Sequence, residues 1–279
     1  MNHAVESFGL SRRKSCRLVN MPRSSYSYKK KLKPDEEELR GKLKALAEEK
    51  PKYGYRMLHV LLRRKGFAIN HKRTERLYAE EKLSLRRKKK RRKTGSMYRS
   101  EVPKSERRNH IWSMDFVSDA ASNGRKLKML NVVDTFSRKC LDILVDTSIN
   151  GYRVCRALDE VVEREGPPEM IIVDNGPEFS GRALDEWAYR KGIKLHFIRP
   201  GKPVENAYIE SFNGRLREEC LNSHWFMSLD HARSIISDWK DEYNDFRPHS
   251  SLGNLTPNEF IRRKEGQNQQ DRVLEYSNS

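Results

Sequence analysis

The chain has 279 residues, of which 36% are hydrophobic and 34% are charged, so a packed core is expected over part of the chain only. No apolar run approaches the roughly 18 residues that a membrane span needs, and the N-terminus lacks the apolar stretch of a secretory signal. These patterns exclude a membrane or secreted protein and predict a cytoplasmic one.

Positive charge is concentrated toward the N-terminus. The formal net charge is +18. Residues 1–110 contain 34 Lys and Arg against 12 Asp and Glu, a net charge of +22, whereas residues 111–279 contain 23 against 27, a net charge of −4. A polycationic region beside a mildly acidic globule indicates a polyanion-binding module joined to a metal-using core.

Short helices are predicted for the N-terminal region. Residues 1–34 indicate a basic helix-turn-helix-like segment, with two short helices around a break at residues 20–22. Residues 35–85 predict three more helices, and the last of them begins at Asn70 as N-cap. The outer face of this last helix carries Lys72, Arg73 and Arg76. A basic third helix favours a helix-turn-helix-like DNA-binding domain over residues 35–85, and the alternative is a plain helical bundle.

A basic arm and linker follow at residues 86–110. The first eight residues of this arm are all basic, and they are Arg86, Arg87, Lys88, Lys89, Lys90, Arg91, Arg92 and Lys93. Such a block repels itself too strongly to pack, but it can neutralise several DNA phosphates without reading sequence. A targeting signal is the competing interpretation.

From residue 111 onward the pattern predicts an α/β core. The segments IWSMDFVS, LKMLNVVDTF and CLDILVDT predict an antiparallel meander of three strands. A helix over residues 151–165, the apolar strand MIIV, a helix over residues 182–191, the strand KLHFI and a helix over about residues 204–220 follow. This order predicts a ribonuclease-H-like core over residues 111–225, with a mixed five-stranded sheet and helices, preceded by the all-α region. Residues 226–279 predict a C-terminal helical extension and tail.

Three carboxylates of this core are candidate catalytic metal ligands. Asp115 lies mid-strand between apolar neighbours, where an acid is rarely buried without a compensating metal or partner. Asp174 follows the MIIV strand, at the end where α/β sheets place ligand sites. Glu210 lies on a helix, and one face of that helix carries Asn206, Glu210, Asn213 and Arg217.

Each of these carboxylates alone has an ordinary structural explanation. Together, in a strand, at a strand end and on a helix, they indicate a two-metal site for phosphodiester chemistry. The other polar residues on the same helix face are candidate DNA contacts, and they are Asn206, Asn213 and Arg217. Further acids are predicted to be structural or to support the ligands, and they are Asp119, Asp134, Asp146 and Glu178.

Four segments within roughly residues 36–263 carry a resemblance to a known family, and they are YGYRMLHVLLRRKGFAINHKRTERLY, VDNGPEF, FIRPGKPVENAYIESFNGRLREECLN and YNDFRPHSSLGNLTPNEF. They resemble the OrfB-type transposases of bacterial two-frame insertion sequences, which carry a retroviral-integrase-like (DDE) catalytic core. The family's two aspartates and glutamate fall on Asp115, Asp174 and Glu210. Its basic residue two helical turns past the glutamate falls on Arg217.

The resemblance implies a DNA transposase that cleaves insertion-sequence ends and transfers the 3′ hydroxyl into target DNA. It implies two Mg²⁺ ions on the three carboxylates, with Mn²⁺ as a substitute. The implied partners are DNA, further copies of the chain on DNA, and a companion OrfA product or an OrfA–OrfB fusion, with no membrane and a nucleoid-associated location. The alternatives are a structure-specific nuclease or ribonuclease H of the same fold, and a DNA-binding regulator with an inactive core.

Overall fold

The computed structural model describes residues 6–28, 34–85, 104–176, 178–199 and 203–277. The predicted basic arm, residues 86–93, lies outside these ranges. Within them, no helix has the length and apolar character needed to cross a membrane.

The described helices are α1 (Arg12–Leu18), α2 (Arg23–Ser27), α3 (Glu36–Glu49), α4 (Tyr55–Arg64), α5 (His71–Glu80), α6 (Gly151–Glu165), α7 (Arg182–Lys191), α8 (Ala207–Glu219), α9 (Leu229–Asp245) and α10 (Pro257–Ser277). The described strands are β1 (Ile111–Ala120), β2 (Lys126–Asp134), β3 (Cys140–Asp146), β4 (Met170–Val173) and β5 (Lys194–Phe197).

The chain forms two compact units. One unit comprises Met1–Pro51 and Ile69–Ser84, and the other comprises Lys52–Ala68 and Leu85–Ser279. Helix α4 therefore belongs to the second unit, although the sequence predicted one domain over residues 35–85. Two contacts inside the second unit support this grouping, because Tyr53 Oη donates to Glu242 at 2.9 Å and Arg64 pairs with Glu259 at 2.6 Å. The predicted domain boundaries stay predictions.

The first unit contains α1, α2, α3 and α5. Asn70 caps α5 as predicted, because its side chain accepts a hydrogen bond from the Lys72 amide at 2.9 Å. Helix α3 buries Leu39, Leu43 and Leu46, which share one face at helical spacing. Acidic residues fill the first turn of α3, where they favourably meet the positive end of the helix dipole.

The second unit is built on a five-stranded sheet in the order β3-β2-β1-β4-β5. Strands β1, β2 and β3 pair antiparallel, which confirms the predicted meander. Strand β4 pairs parallel to β1 and to β5, and the apolar sequence MIIV fits a strand that is covered on both faces. The sheet is therefore mixed, as the sequence predicted.

The two faces of the sheet bury separate apolar clusters. On one face, strand residues such as Met114, Leu130 and Val173 pack with side chains of α6 and α7. On the other face, alternate strand residues such as Met129 and Val133 pack with side chains of α8 and α9. Helix α8 is shorter than predicted, because residues Pro203–Asn206 form a 3-10 turn before it.

Candidate active site

Asp115 lies in the middle of β1 on the face that α8 covers. It pairs directly across the sheet with Asn131 of β2. One carboxylate oxygen, Oδ1, accepts a hydrogen bond from the Phe116 amide at 2.7 Å. The other, Oδ2, accepts a hydrogen bond from Asn213 Nδ2 at 2.8 Å. Side-chain and backbone donors thus fix the orientation of a half-buried carboxylate.

Asp174 follows the last residue of β4, as predicted. The parallel register ends where Ser113 of β1 pairs with Ile172 of β4, and Asp115 and Asp174 each follow two residues later in the chain. The Gly176 amide donates to Asp174 Oδ1 at 2.9 Å. A Cβ atom at position 176 would lie 2.9 Å from that same oxygen, so a side chain there would displace the carboxylate.

Glu210 lies in the first turn of α8 and is exposed to solvent. The apolar stripe that was predicted to dock this helix is confirmed, because Ile209, Phe212 and Leu216 are all buried against the α8 face of the sheet. Asn213, which bonds Asp115, lies one helical turn after Glu210. The docking of α8 therefore holds Glu210 close to the carboxylate on β1.

The electrostatics of Asp115 show that the charges of the other two carboxylates act on it. Burial, together with the negative charges of Asp174 and Glu210, raises the pKa of Asp115 to about 6, against the hydrogen bonds from Phe116 and Asn213. A cluster of this kind is stabilised by a bound cation. The donors are all carboxylate oxygens, the ligand type that suits Mg²⁺ and Mn²⁺.

The side chains of Asp115, Asp174 and Glu210 are spaced apart from one another. Among the described residues, no three Asp, Glu, His or Cys side chains lie together closely enough to ligate one ion. Asp115 nevertheless sits on a central strand, Asp174 directly follows β4, and Glu210 sits on a helix that is packed against the sheet. The donor set therefore fits a hard divalent cation.

The loop after Asp174 is fastened to the sheet by a charged and aromatic contact. Lys128 of β2 pairs with Glu178, and its ammonium group lies 4.2 Å from the centre of the Phe116 ring. Phe116 in turn stacks on Phe179 at 4.9 Å between ring centres. The hydrogen bond from Lys128 lowers the pKa of Glu178. Glu178 thus supports the position of the loop that carries Asp174.

Comparison with known families places this site in context. Two models of the family described as Integrase core domain match residues 105–203 and 191–257, and a model of the family described as HTH-like domain matches residues 34–91. An insertion element IS407 uncharacterized 31.7 kDa protein from Burkholderia multivorans is 48% identical over 93% of this chain and 94% of its own length. The chain belongs to the OrfB-type transposases of insertion sequences.

A second relative and a solved structure are also similar to this chain. The putative transposase InsK for insertion sequence element IS150 of Escherichia coli is 29% identical over 88% of this chain and 91% of its own length. A chain in the structure of a simian T-cell lymphotropic virus intasome in complex with PP2A regulatory subunit B56 gamma superposes with a TM-score of 0.52. That match has 17% identity and covers 78% of this chain and 74% of the other, and it shows the fold. The transposase therefore has the predicted ribonuclease-H-like core.

The predicted DNA contacts of the core have different environments. Arg217 is exposed, and its guanidinium donates to the Ser118 carbonyl at 3.2 Å. Asn206 is buried, and its Oδ1 has no hydrogen-bond partner among the described residues. Asn213 is already committed to Asp115 and to Asn131. A DNA contact by any of the three stays a prediction, but Arg217 has the most accessible side chain.

The predicted basic face of α5 needs correction. Arg73 pairs with Asp35 at 2.8 Å, and Arg76 pairs with Glu36 at 2.9 Å, so both guanidiniums are partly neutralised inside the first unit. The cause is the acidic start of α3, which supplies both partners. Lys72 is exposed. DNA binding by Lys72, Arg73 and Arg76 stays a prediction.

Two polar contacts of α8 were not predicted from the sequence. Asn131 is fully buried, and it donates from Nδ2 to Asn213 Oδ1 at 2.7 Å. At the other end of the helix, the buried Arg247 pairs with Glu219 at 2.6 Å. An asparagine inside the apolar run MLNVV was the available signal for the first contact. Arg247 and Glu219 are 28 positions apart and gave no signal.

Proposed function

We propose that this transposase cleaves DNA at the ends of its insertion sequence and joins the freed 3′ hydroxyl to a phosphodiester of target DNA. The observation that carries the proposal is that the charges of Asp174 and Glu210 act on the half-buried Asp115 within an integrase core. A half-buried carboxylate next to two further carboxylates suits a site for divalent cations better than a site for a protein nucleophile.

The three carboxylates would hold the divalent ions, with two Mg²⁺ expected and Mn²⁺ as a substitute. When bound, such ions supply activation of water or of the 3′ hydroxyl and stabilisation of the leaving oxygen. Among the chain's own groups, the Gly176 amide orients Asp174 and the Asn213 amide orients Asp115. The apolar docking of α8 would keep Glu210 on the side of the sheet that carries Asp115. No side chain needs to form a covalent intermediate with DNA.

DNA is the proposed partner of the whole chain. The net charge of +22 over residues 1–110 suits a phosphate backbone, and the basic arm at residues 86–93 would add contacts that do not depend on sequence. Arg217 would contact a phosphate next to the scissile one. Further copies of the chain and the companion OrfA product, or a fusion with it, complete the proposed assembly on element ends.

The decisive test is a strand-transfer assay on a labelled element end with Mg²⁺, Mn²⁺ or EDTA. Asp115→Asn, Asp174→Asn and Glu210→Gln should each reduce cleavage and joining by more than about 10³-fold, which corresponds to about 4 kcal/mol of transition-state stabilisation. DNA binding should survive, because each change removes one ligand charge and leaves the basic region intact.

Asp119→Asn is the matched control, because Asp119 also lies on β1 and bonds only the amide of Ala120 among the described residues. It should retain activity. Full activity of any of the three variants in Mg²⁺ would remove that residue from the site. Hydrolysis without joining would favour a nuclease, and DNA binding without either reaction would favour a regulator.

A further inference from the structure

Asn131 is a buried amide at a position of the sheet where an apolar side chain would be more stable. It lies on β2 with its side chain on the α8 face, and its neighbours on the same face of the strand are Met129 and Val133. It is fully buried. Among the described residues it makes one side-chain hydrogen bond, and its Oδ1 has no partner. A buried amide with half of its capacity unused is destabilising compared with an apolar residue of the same size.

The one bond that Asn131 makes is directed at the catalytic site. Nδ2 of Asn131 donates to Oδ1 of Asn213, and Nδ2 of Asn213 donates to Oδ2 of Asp115. The direction of this relay follows from its end, because an ionised carboxylate only accepts hydrogen bonds. Asn213 must therefore turn its amino group toward Asp115 and its carbonyl oxygen toward Asn131.

Without Asn131, the orientation of Asn213 would be held at one end only, by Asp115. An asparagine side chain can turn over about its last torsion angle, which exchanges its oxygen and its amino group. The reversed Asn213 would set its carbonyl oxygen against the carboxylate of Asp115 and its amino group against that of Asn131. The donor on β2 therefore adds a second constraint, which favours the orientation of Asn213 that Asp115 requires.

We infer that Asn131 is a positioning residue for the metal-binding carboxylates, acting through Asn213. The relay joins β2, α8 and β1, so it fixes both the rotation of the Asp115 carboxylate and the seating of the helix that carries Glu210 three residues before Asn213. Outer residues that orient metal ligands in this way typically contribute 10–100-fold to metal affinity. The inference rests on the proposed metal-dependent function.

The test uses Mn²⁺ binding to the full chain, measured by calorimetry or by the loss of the free-Mn²⁺ spin-resonance signal. Asn131→Leu should raise the Kd for Mn²⁺ by about 10-fold, at the lower end of the range for such residues. Its melting temperature in EDTA should equal or exceed that of the parent chain, because the change removes an under-bonded buried amide. Asn131→Val, with a smaller side chain, gives the same comparison should leucine disturb the packing.

Asn244→Leu is the matched control. Asn244 is also a buried asparagine on the α8 side of the sheet, and it exchanges two hydrogen bonds with the backbone of Cys140, at 2.9 and 2.8 Å. Its replacement should lower the melting temperature and leave the Mn²⁺ affinity of the folded protein unchanged. The two asparagines thus separate a loss of positioning from a loss of structure.

The outcomes separate this inference from the function on which it rests. If the parent chain and Asp115→Asn bind Mn²⁺ equally, or neither binds it, the proposed metal function fails. If the parent chain binds Mn²⁺ more tightly than Asp115→Asn, and Asn131→Leu binds as tightly as the parent, the inference fails alone. A fall in melting temperature of Asn131→Leu as large as that of Asn244→Leu, with unchanged affinity, would show that Asn131 is structural.

Discussion

The two faces of the central sheet differ in how they are held and in what they carry. The face that α6 and α7 cover is a continuous apolar cluster, in which Leu158 and Trp187 are almost fully buried. The face that α8 and α9 cover contains an apolar cluster of similar size but also the buried polar side chains of Ser113, Asn131 and Asn244. The second face therefore combines apolar packing with buried polar side chains next to the proposed site.

The α8 face also depends on charged and polar contacts at its margins. Arg247, just after α9, donates hydrogen bonds from two guanidinium nitrogens to Glu219 at the end of α8. Arg247 is 7% exposed, so the pair is largely withdrawn from water. Tyr53 and His249 lie in the same cluster, through Glu242 and Tyr243 of α9. Predictions that disturb these contacts therefore test how far the two faces differ.

The largest effect on stability is expected at the pair of Arg247 and Glu219. Arg247→Ala leaves Glu219 charged and without its partner, and breaking a buried pair in this way should cost about 3–5 kcal/mol. A double variant, Arg247→Met with Glu219→Leu, should recover most of this loss, because neither charge then remains buried. Urea denaturation of the full chain measures both values.

Two further variants serve as references for the stability effect at Arg247, one exposed at the margin of the α8 face and one buried on the α6 face. Arg233→Ala removes a half-exposed arginine of α9 that pairs with Asp146 and Asp230, and it should cost at most about 1 kcal/mol. Leu158→Ala, on the α6 face, should cost about 2–5 kcal/mol through the cavity that it leaves. If the double variant of Arg247→Met with Glu219→Leu is as unstable as Arg247→Ala, then packing around this pair, rather than its charge, holds the end of α8.

A smaller effect is expected from the pH dependence of stability through His249. Burial, together with the positive charges of Arg247, Arg215 and Arg138, lowers the pKa of His249 to about 3, against a hydrogen bond to the Tyr243 carbonyl. The ring is therefore neutral in the folded chain and titrates near 6.5 once unfolded. The contribution of this neutral ring to the unfolding free energy is complete above pH 6.5 and is lost as the pH falls toward 3. The loss is about 2 kcal/mol at pH 5.

His249→Gln keeps a donor for the Tyr243 carbonyl and cannot titrate in this range. The difference in unfolding free energy between the parent chain and this variant should therefore shrink by about 2 kcal/mol between pH 7.5 and pH 5. His231→Gln, at an exposed position of α9, should leave the pH dependence as it is in the parent. A pH dependence that is identical in His249→Gln and the parent would show that His249 is accessible to protons in the folded chain.

Local patterns predicted the sheet and the carboxylates, because both leave a signal in adjacent residues. Alternating and apolar runs gave the strands, and the apolar stripe of Ile209, Phe212 and Leu216 gave the docking of α8. Asp115 and Asp174 were recognisable as acids inside or at the end of an apolar strand. These features depend on periodicity, which a single sequence displays directly.

Contacts between distant residues could not be predicted in the same way. Asn213 was assigned to DNA because it shares a helix face with Glu210, but only the strand register shows that Asp115 and Asn131 lie beneath it. Lys72, Arg73 and Arg76 were predicted on the outer face of α5, and the acidic partners of Arg73 and Arg76 were missed because they are about 40 positions away. Helical periodicity identifies the face of a side chain but not the partner that the fold brings to it.

Arg217 is the residue whose replacement is expected to change stability least. Its replacement should nevertheless have a large effect on strand transfer. It lies seven residues after Glu210 on α8, about 10 Å along the same side of the helix, which is within reach of a phosphate next to the scissile one. Its described contact is a single exposed hydrogen bond to the Ser118 carbonyl. Arg217→Ala should therefore change the unfolding free energy by less than about 0.5 kcal/mol and reduce strand transfer by at least about 10-fold, the equivalent of losing one charged contact.

Arg217→Lys separates a charge contact from a structural one. A lysine ammonium can meet a phosphate as a point charge, so this variant should keep much of the strand-transfer activity. Arg215→Ala is the control on the same helix, because Arg215 bonds Ser211 within α8, and it should leave strand transfer unchanged. If Arg217→Ala instead lowers stability strongly while its folded fraction joins DNA at the normal rate, the bond to Ser118 is structural. Arg217, at the margin of the α8 face, would then stabilise the fold rather than bind DNA.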